Sequence, residues 1–172
     1  MLTLALFQPT EQEEARSLIL SGLVEHWGWL DETRNPDLNH IEASYADGVF
    51  LVAREDGRLV GTGALLPTPD PVTWQVVRMS VAADMRRAGL GRQILAALEI
   101  EARKRGAVRL ILETTATWQE VIAFYLRCGY KIISTVERAY DHTTPLPRTA
   151  EGDLADEPCP SLSSDVYFEK WL

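Results

Sequence analysis

The sequence has few cysteines and lacks a long apolar segment. Its two cysteines, Cys128 and Cys159, are too few for a disulfide framework and do not have the spacing of a metal site. No apolar run approaches the roughly 18 residues of a membrane-spanning helix. The first residues turn acidic without a preceding basic segment, which argues against a signal peptide. We therefore expect a cytoplasmic protein without a metal site and without a membrane partner.

Basic residues are scarce relative to acidic ones. Lys and Arg number 17 against 25 Asp and Glu, which gives a formal net charge of −8. Such a charge disfavours binding to nucleic acid or to an anionic membrane. The chain has 172 residues, of which 46% are hydrophobic, so its size and composition predict one globular domain over 1–172.

Against this acidic background, residues 76–105 carry a local basic cluster at a predicted strand–turn–helix junction. The turn contains Gly89 and Gly91, which allow the backbone to approach a ligand closely. The N–H groups at the start of the following helix favour an anion. Arg86, Arg87 and Arg92 surround the same point. The pattern predicts a phosphate site, although three arginines alone could equally form a solvated basic face.

Two common phosphate-binding motifs are missing from this turn. A Rossmann dinucleotide site requires G-x-G-x-x-G followed by an acidic residue about twenty positions later, and a P-loop requires Gly-Lys-Ser/Thr. Neither motif is present at residues 86–92. The turn therefore predicts phosphates carried by another kind of ligand.

The part of the chain before this junction predicts a strand, two helices and an antiparallel meander. A strand over 2–7 precedes a helix that opens at Pro9, with Thr10 and Glu13 spaced as a capping box. Asn35-Pro36 predicts the start of a second helix. The Asp56-Gly57 pair predicts a hairpin. The second hairpin strand contains two glycines, which indicate that another element packs closely there; they are Gly61 and Gly63.

The third strand of the meander is predicted over 72–81. Regular alternation would place Val77, Met79 and Val81 on one face and Arg78 on the other. A charged side chain within such a strand is costly unless paired, so Arg78 should be paired or lie near a ligand.

Beyond the long helix, the pattern predicts a strand over 108–112, a helix over 118–128 ended by Gly129, and strands over 130–138 and 165–172. Residues 140–162 are rich in Pro, Thr and acidic residues and are predicted to form a long loop or insertion within the domain.

This arrangement resembles the GCN5-related N-acetyltransferase (GNAT) superfamily along nearly the whole chain. Two motifs carry the resemblance. Arg86-x-x-Gly89-x-Gly91 matches the family's acetyl-CoA signature, and residues 124–130, FYLRCGY, match its later F-Y-x-x-x-G-F/Y element. The resemblance implies an α/β fold with a mixed central sheet of about six to seven strands. It also implies an antiparallel N-terminal meander, a splayed central strand pair and about four helices.

The resemblance further implies acetyl-CoA as the cofactor and an amine acceptor as the partner, in a monomer or homodimer. Tyr125 would protonate the departing thiolate, although it could instead be a core tyrosine. The implied coenzyme A contacts are Met79, Ser80, Val81, Arg86, Arg87, Ala88, Gly89, Leu90, Gly91, Arg92, Trp118 and Tyr125.

The sequence departs from the family at two positions. Gln75 stands where many relatives carry a glutamate that acts as base, and Trp118 stands where an asparagine is frequent. Glu113 becomes the first candidate for the base, with Glu32, His26 or a water chain as alternatives. Trp118 could pack on the pantetheine arm or border the acceptor site.

The acceptor is predicted to lie near the loop at 26–40. Trp27, Trp29, Asp31 and Glu32 suit a cationic amine, whereas Arg34 and Arg78 could grip a carboxylate, and Gln75 would lie nearby. We expect an N-acetyltransferase that acts on a primary amine of a small molecule or protein by direct attack in a ternary complex. The alternatives are a non-catalytic acyl-CoA-binding module and an interaction protein that uses the Trp-rich loop.

Overall fold

The computed structural model describes residues 1–29, 32–137 and 164–172. Seven strands form one mixed sheet in the order β1-β2-β3-β4-β5-β7-β6. The first four strands pair antiparallel in sequence order, and β4 pairs parallel with β5. The mixed α/β fold with an antiparallel N-terminal meander is therefore confirmed, whereas the predicted insertion at 140–162 lies outside the described residues.

The elements have the following bounds. The strands are β1 (Leu2–Leu6), β2 (Val49–Glu55), β3 (Arg58–Pro67), β4 (Thr73–Val81), β5 (Arg109–Thr115), β6 (Lys131–Glu137) and β7 (Ser164–Trp171). The helices are α1 (Gln12–Trp27), α2 (Ile41–Ser44), α3 (Leu90–Lys104) and α4 (Gln119–Arg127).

The chain divides into two compact units. The first comprises residues 1–112 and 169–172, and the second comprises 113–168, of which 113–137 and 164–168 are described. The phosphate-site motif lies in the first unit, and the F-Y-x-x-x-G-Y motif lies in the second.

The first unit has a buried core between α1, the segment that follows it, and the sheet. Ala15 and Ile19 of α1 belong to the same cluster as Phe50 and Val52 of β2. The 3-10 helix Pro36–Asn39 and α2 add further side chains to this core. Leu38, Ile41 and Tyr45 are buried there.

The start of α1 differs from the prediction. The capping interaction is made by Glu11, whose Oε2 accepts a hydrogen bond from the Gln8 backbone N–H at 2.8 Å. Pro9 occupies the first position of a 3-10 turn, Pro9–Glu11, that precedes the helix. The Thr10–Glu13 capping box was therefore wrong by two residues, because the proline begins the helical turn earlier.

Glycines in β3 allow α3 to pack directly on the other face of the sheet. A Cβ atom on Gly61 would lie 2.6 Å from Ile94 Cδ1, and one on Gly63 would lie 2.7 Å from Ile94 Cγ2 and 2.8 Å from Met79 Sδ. Only glycine leaves room for this approach. The prediction that an element packs closely on these glycines is confirmed.

The α3 helix buries one apolar stripe and exposes its other side. The buried residues are Leu90, Ile94, Leu95, Leu98 and Ala102, at the spacing expected for one helix face. Arg103 and Lys104 occupy the last turn, where cations complement the helix dipole.

The second unit contains α4 and an aromatic cluster. Tyr125 of α4 packs with its ring 5.1 Å from Phe124, 5.7 Å from Tyr130 and 5.8 Å from Phe168, measured between centroids. Gly129, with φ of 87°, follows the helix, as a left-handed residue commonly does at a helix end.

Candidate functional site

A β-bulge interrupts β4 in the first unit. Thr62 pairs with Ser80, but Ala64 pairs with Val77, so two residues of β4 oppose Gly63 alone. Arg78 is one of these two and has φ of 55°, a left-handed conformation that is uncommon for residues with a Cβ. A bulge leaves part of the backbone outside the ladder, so this part of β4 can offer backbone groups to a ligand.

The bulge changes which side chains share a face. Val77 packs against the core cluster beside α1, whereas the Met79 sulfur lies under α3 against Gly63. The Ser80 hydroxyl again faces α1, 3.3 Å from the position that a Cβ on Gly22 would take. The prediction that Val77 and Met79 share a face was wrong, because the extra residue breaks the alternation.

Arg78 is paired, as expected for a charge within a strand. Its Nε donates to Asp37 Oδ2 at 2.8 Å, and its Nη1 donates to Asn35 Oδ1 at 2.9 Å. Tyr45 donates its hydroxyl to the same Asp37 oxygen at 2.7 Å. The Arg78 carbonyl accepts a hydrogen bond from Thr62 Oγ1 at 2.8 Å.

The hydrogen bonds around Asp37 shift its pKa and that of Tyr45. Burial raises the pKa of Asp37, but hydrogen bonds from Arg78 and Tyr45 outweigh it and hold that pKa below its usual value. Burial, followed by the hydrogen bond to Asp37, raises the pKa of Tyr45. Asp37 is therefore ionised and Tyr45 protonated at neutral pH, which preserves both contacts with the carboxylate.

The turn between β4 and α3 presents backbone donors at a helix start. Arg87 has φ of 66°, and Gly89 has φ of 84°. The Gln93 N–H donates to the Gly89 carbonyl at 3.1 Å, so the amides of Leu90 and Gly91 belong to the first helical turn, whose donors have no partner within a helix. A Cβ on Gly89 would meet no atom within 4 Å. This open start of α3 fits a bound phosphate.

The three arginines around this turn differ in their surroundings. Both Nη atoms of Arg86 donate to Glu25 at 2.6 Å, and its Nε donates to the Val81 carbonyl at 3.1 Å. Arg87 and Arg92 are exposed. The Arg86 side chain thus connects the turn to the end of β4 and to α1.

Gln75 lies at the last position of the parallel pairing between β4 and β5. The pairing runs from Thr73 with Arg109 to Gln75 with Ile111, and β4 continues to Val81. This arrangement agrees with the predicted splay of the central strand pair. Gln75 is half-buried, and its role toward a substrate stays a prediction.

The Trp-rich loop is described in part. Trp27 and Trp29 are 38% and 51% exposed, and the Arg34 guanidinium lies 5.9 Å from the Trp29 ring centroid. Burial lowers the pKa of His26. Asp31 and the Glu32 side chain lie outside the described residues, so their acceptor contacts remain predictions, as do those of Trp27, Trp29 and Arg34.

The candidate catalytic residues of the second unit have different surroundings. Tyr125 is 6% exposed, and burial, followed by the nearby Cys128, raises the pKa of its phenol. Glu113 is exposed. Trp118 is the residue before the first turn of α4. Their roles as acid, base and coenzyme A contact stay predictions.

Three residues around this site had not been predicted from the sequence. Glu25, Asn35 and Asp37 contact Arg86 or Arg78 across 61, 43 and 41 residues of chain. The requirement for a partner of Arg78 was predictable, but no local pattern identifies which carboxylate supplies it. Among the described residues, no cluster of three or more His, Cys, Asp or Glu could hold a metal ion.

Within the described ranges, no helix is long and apolar enough to cross a bilayer.

Comparison with known proteins gives partial matches among curated sequences. Probable N-acetyltransferase 14 of Xenopus tropicalis is 33% identical over 102 residues, which are 58% of this chain and 50% of that protein. IAA acetyltransferase of Azospirillum brasilense is 38% identical over 81 residues, or 47% and 53% of the two chains. The chain thus spans about half the length of these curated relatives.

Solved structures match over almost the whole chain. A GNAT-family acetyltransferase from Staphylococcus aureus Mu50 has a TM-score of 0.77 at 18% identity and covers 99% of both chains. A Bacillus subtilis acetyltransferase in complex with CoA has a TM-score of 0.71 at 21% identity. The match covers 100% of this chain and 99% of that chain. These structures show the shared fold. The family model described as Acetyltransferase (GNAT) family matches residues 12–130, and the chain belongs to that family.

Proposed function

We propose that this protein transfers an acetyl group from acetyl-CoA to a primary amine of a small molecule or protein. The observation that carries the proposal is the continuous segment 78–92, in which a bulged strand leads into an open helix start. Both features offer backbone N–H groups to a ligand with a carbonyl and phosphates. The word N-acetyltransferase in the name of the Xenopus relative supports an amine acceptor.

In this proposal, the start of α3 holds the pyrophosphate. Leu90 and Gly91 supply first-turn amides, and Arg87 and Arg92 supply positive charge. Arg86 acts through its backbone, because its guanidinium is engaged by Glu25. Ala88 and Gly89 shape the turn between them.

The β4 residues Met79, Ser80 and Val81 would align the pantetheine arm, and a backbone N–H at Met79 or Val81 would stabilise negative charge on the thioester oxygen. Acetyl-CoA supplies the activated acetyl group. The amine attacks it directly, and the proton lost from the amine goes to a base, for which Glu113 is the first candidate.

Tyr125 is proposed to donate a proton to the departing thiolate. Support comes from its place in the F-Y-x-x-x-G-Y motif and from burial, which raises the pKa of the phenol and keeps it protonated. A protonated phenol can neutralise a thiolate, whose conjugate thiol has a pKa of about 8.5. Trp118 is proposed to pack against the pantetheine arm.

The proposal is tested by calorimetric titration of acetyl-CoA and CoA, followed by thiol release with a panel of primary amines. We expect binding of both ligands and thiol release with at least one amine. Absence of binding at millimolar ligand would reject the proposal.

A second candidate function is acyl-CoA binding without catalysis. It is favoured by Gln75, whose amide cannot accept a proton at the place where many relatives carry a glutamate. This alternative predicts tight cofactor binding and no acetylation across the amine panel.

A third candidate is an interaction protein that binds a partner or a second copy through the loop at 26–40. The exposure of Trp27 and Trp29 favours it. In that case, Trp29→Ala would change gel-filtration behaviour while the affinity for CoA stayed constant.

A further inference from the structure

The left-handed residue in the β4 bulge is an arginine rather than a glycine. Arg78 is the extra residue of the bulge. When it is left out, Val77 faces α1, Met79 faces α3 and Ser80 faces α1, which is the regular alternation of a strand. The left-handed conformation is sparsely populated for such a residue, so it persists only where surrounding contacts hold it.

The contacts that hold Arg78 come from both its backbone and its side chain. Thr62 of β3 donates to its carbonyl, and Asp37 and Asn35 accept from its guanidinium. The side chains of Arg78 and Asp37 are 21% and 28% exposed. An ion pair this shielded from water is screened less than a surface pair, and it connects the bulge to the segment before α2.

The carboxylate is itself held in place. Tyr45, at the end of α2, donates to Asp37 and is 6% exposed. Its ring packs against Phe50 of β2 with centroids 5.0 Å apart. Asp37 is therefore fixed from the core side, and it can fix Arg78 in turn. The guanidinium is occupied within the chain, so a grip on a substrate carboxylate would require it to leave Asp37.

We propose that Asp37 and Arg78 form a positioning pair, which holds the left-handed backbone of the bulge and thereby orients the amide of Met79 toward the reacting carbonyl. This inference rests on the proposed acetyl transfer. The pair does not touch the reacting atoms; it acts through the backbone that Arg78 shares with Met79. Since Asn35 and Asp37 also belong to the predicted acceptor loop, the pair joins the acceptor side of the site to the cofactor side.

Three substitutions separate the side chain from the backbone conformation. Asp37→Asn keeps the shape of the carboxylate but removes its charge. Arg78→Gly removes the guanidinium while permitting a positive φ, and Arg78→Ala removes the guanidinium and disfavours that φ. The matched control is Glu11→Gln, which disrupts an ion pair outside the bulge. Glu11 Oε1 lies 2.8 Å from Arg54 Nε, and the side chains of Glu11 and Arg54 are 11% and 25% exposed, so this pair is similarly shielded from water.

The first readout uses the protein without any ligand. Amide hydrogen exchange at residues 77–81 should accelerate by about tenfold or more in Asp37→Asn and Arg78→Ala. Arg78→Gly should retain bulge amide chemical shifts closer to the wild type than Arg78→Ala does. Glu11→Gln should lower the Tm without accelerating exchange at these amides. Unchanged bulge exchange in Asp37→Asn would overturn the proposal.

The second readout separates turnover from binding. In Asp37→Asn, kcat should fall by about tenfold or more, since small misplacements of a site group reduce rates strongly, while the calorimetric Kd for CoA should stay within about threefold of the wild type. A fall in Tm with kcat unchanged would also overturn the proposal. If the proposed function is wrong, the wild-type protein will bind no CoA. The exchange measurements do not depend on that result, and they still decide whether the pair holds the bulge.

Discussion

The two Nη atoms of Arg86 each lie 2.6 Å from a different carboxylate oxygen of Glu25. The pair joins the turn before α3 to the last part of α1, and the hydrogen bond from Arg86 holds the pKa of Glu25 below its usual value. A signature arginine is thus neutralised by its own chain. In the proposed function, the turn would therefore bind its anion through backbone N–H groups, with the Glu25 carboxylate as an acidic neighbour.

Removal of that neighbouring charge should strengthen cofactor binding. We expect Glu25→Gln to lower the Kd for CoA by about two- to fivefold at low salt, because a negative charge beside the phosphates is removed. Calorimetry at low and high ionic strength would measure this change, which should shrink in high salt. Glu120→Gln in the second unit is a control for the loss of one acidic charge. A weaker affinity in Glu25→Gln would show that the Arg86 orientation matters more than the charge.

Gly89 should be required for cofactor binding beyond its effect on stability. Gly89→Ala places a Cβ on a left-handed residue, which costs about 1–2 kcal/mol, although space is open around it. Gly57→Ala is a matched control, because Gly57 has a φ of 85° and open space in the β2–β3 hairpin. Both variants should lose similar stability in urea, but only Gly89→Ala should bind CoA more weakly. An equal effect on CoA binding would contradict the proposed turn.

The glycines under α3 allow a test of packing with an internal control. Gly61→Ala should destabilise the fold by about 1–3 kcal/mol through overpacking, because the new Cβ meets Ile94 Cδ1. Ile94→Val deletes that atom and should partly rescue Gly61→Ala. It should not rescue Gly63→Ala, whose new Cβ meets Ile94 Cγ2, an atom that valine retains. A double-mutant cycle from urea unfolding measures both couplings, and equal rescue of the two glycine variants would reject this geometry.

The Asp37–Arg78 pair predicts a specific dependence of stability on pH. The pKa of Asp37 is lowered in the folded protein, below an unfolded value of about 3.9. Its contribution is therefore fully present above that value and is lost as the pH falls through the folded pKa. At pH 7, we expect Asp37→Asn to be less stable by about 1–3 kcal/mol. Thermal unfolding of both proteins should show that this gap narrows as the pH falls below the unfolded value; a constant gap would exclude an electrostatic origin.

Tyr125→Phe should reduce turnover far more than affinity. If the phenol donates a proton to the leaving thiolate, kcat should fall by about a hundredfold, while the Kd for acetyl-CoA should change little. Tyr130→Phe removes the same atom from a buried neighbour in the aromatic cluster and serves as the control. Parallel losses of turnover and affinity in Tyr125→Phe would instead indicate a packing role.

Local patterns predicted much of this fold. The Asp56-Gly57 hairpin, with φ of 49° and 85°, follows from residues that tolerate left-handed conformations. The buried stripe of α3 follows from helical periodicity alone. The glycines of β3 correctly indicated a close contact, because a glycine inside a strand weakens it and often marks a place where another group approaches closely.

The parts that escaped prediction depend on long-range contacts or on irregular backbone. The bulge in β4 changes the faces of Val77 and Met79, and nothing in the alternating sequence marks the extra residue. Arg78 was expected to have a partner, but the choice of Asp37 depends on how α1 and α2 place a segment 41 residues away. The Thr10–Glu13 box failed on a smaller scale, because Pro9 starts its turn two residues earlier than the box required.

The bulge also shows that β4 is one residue longer than its pairing with β3 requires. Without Arg78, the ladder would run without interruption from Ala64–Val77 through Gly63–Met79 to Thr62–Ser80. A single-codon deletion would thus give a more regular sheet, with the same alternation of side chains before and after it. Two residues, Asp37 and Asn35, hydrogen-bond to the side chain of this extra residue, and Tyr45 in turn bonds to Asp37. These contacts favour an irregular strand at this point over the regular ladder that the deletion would give.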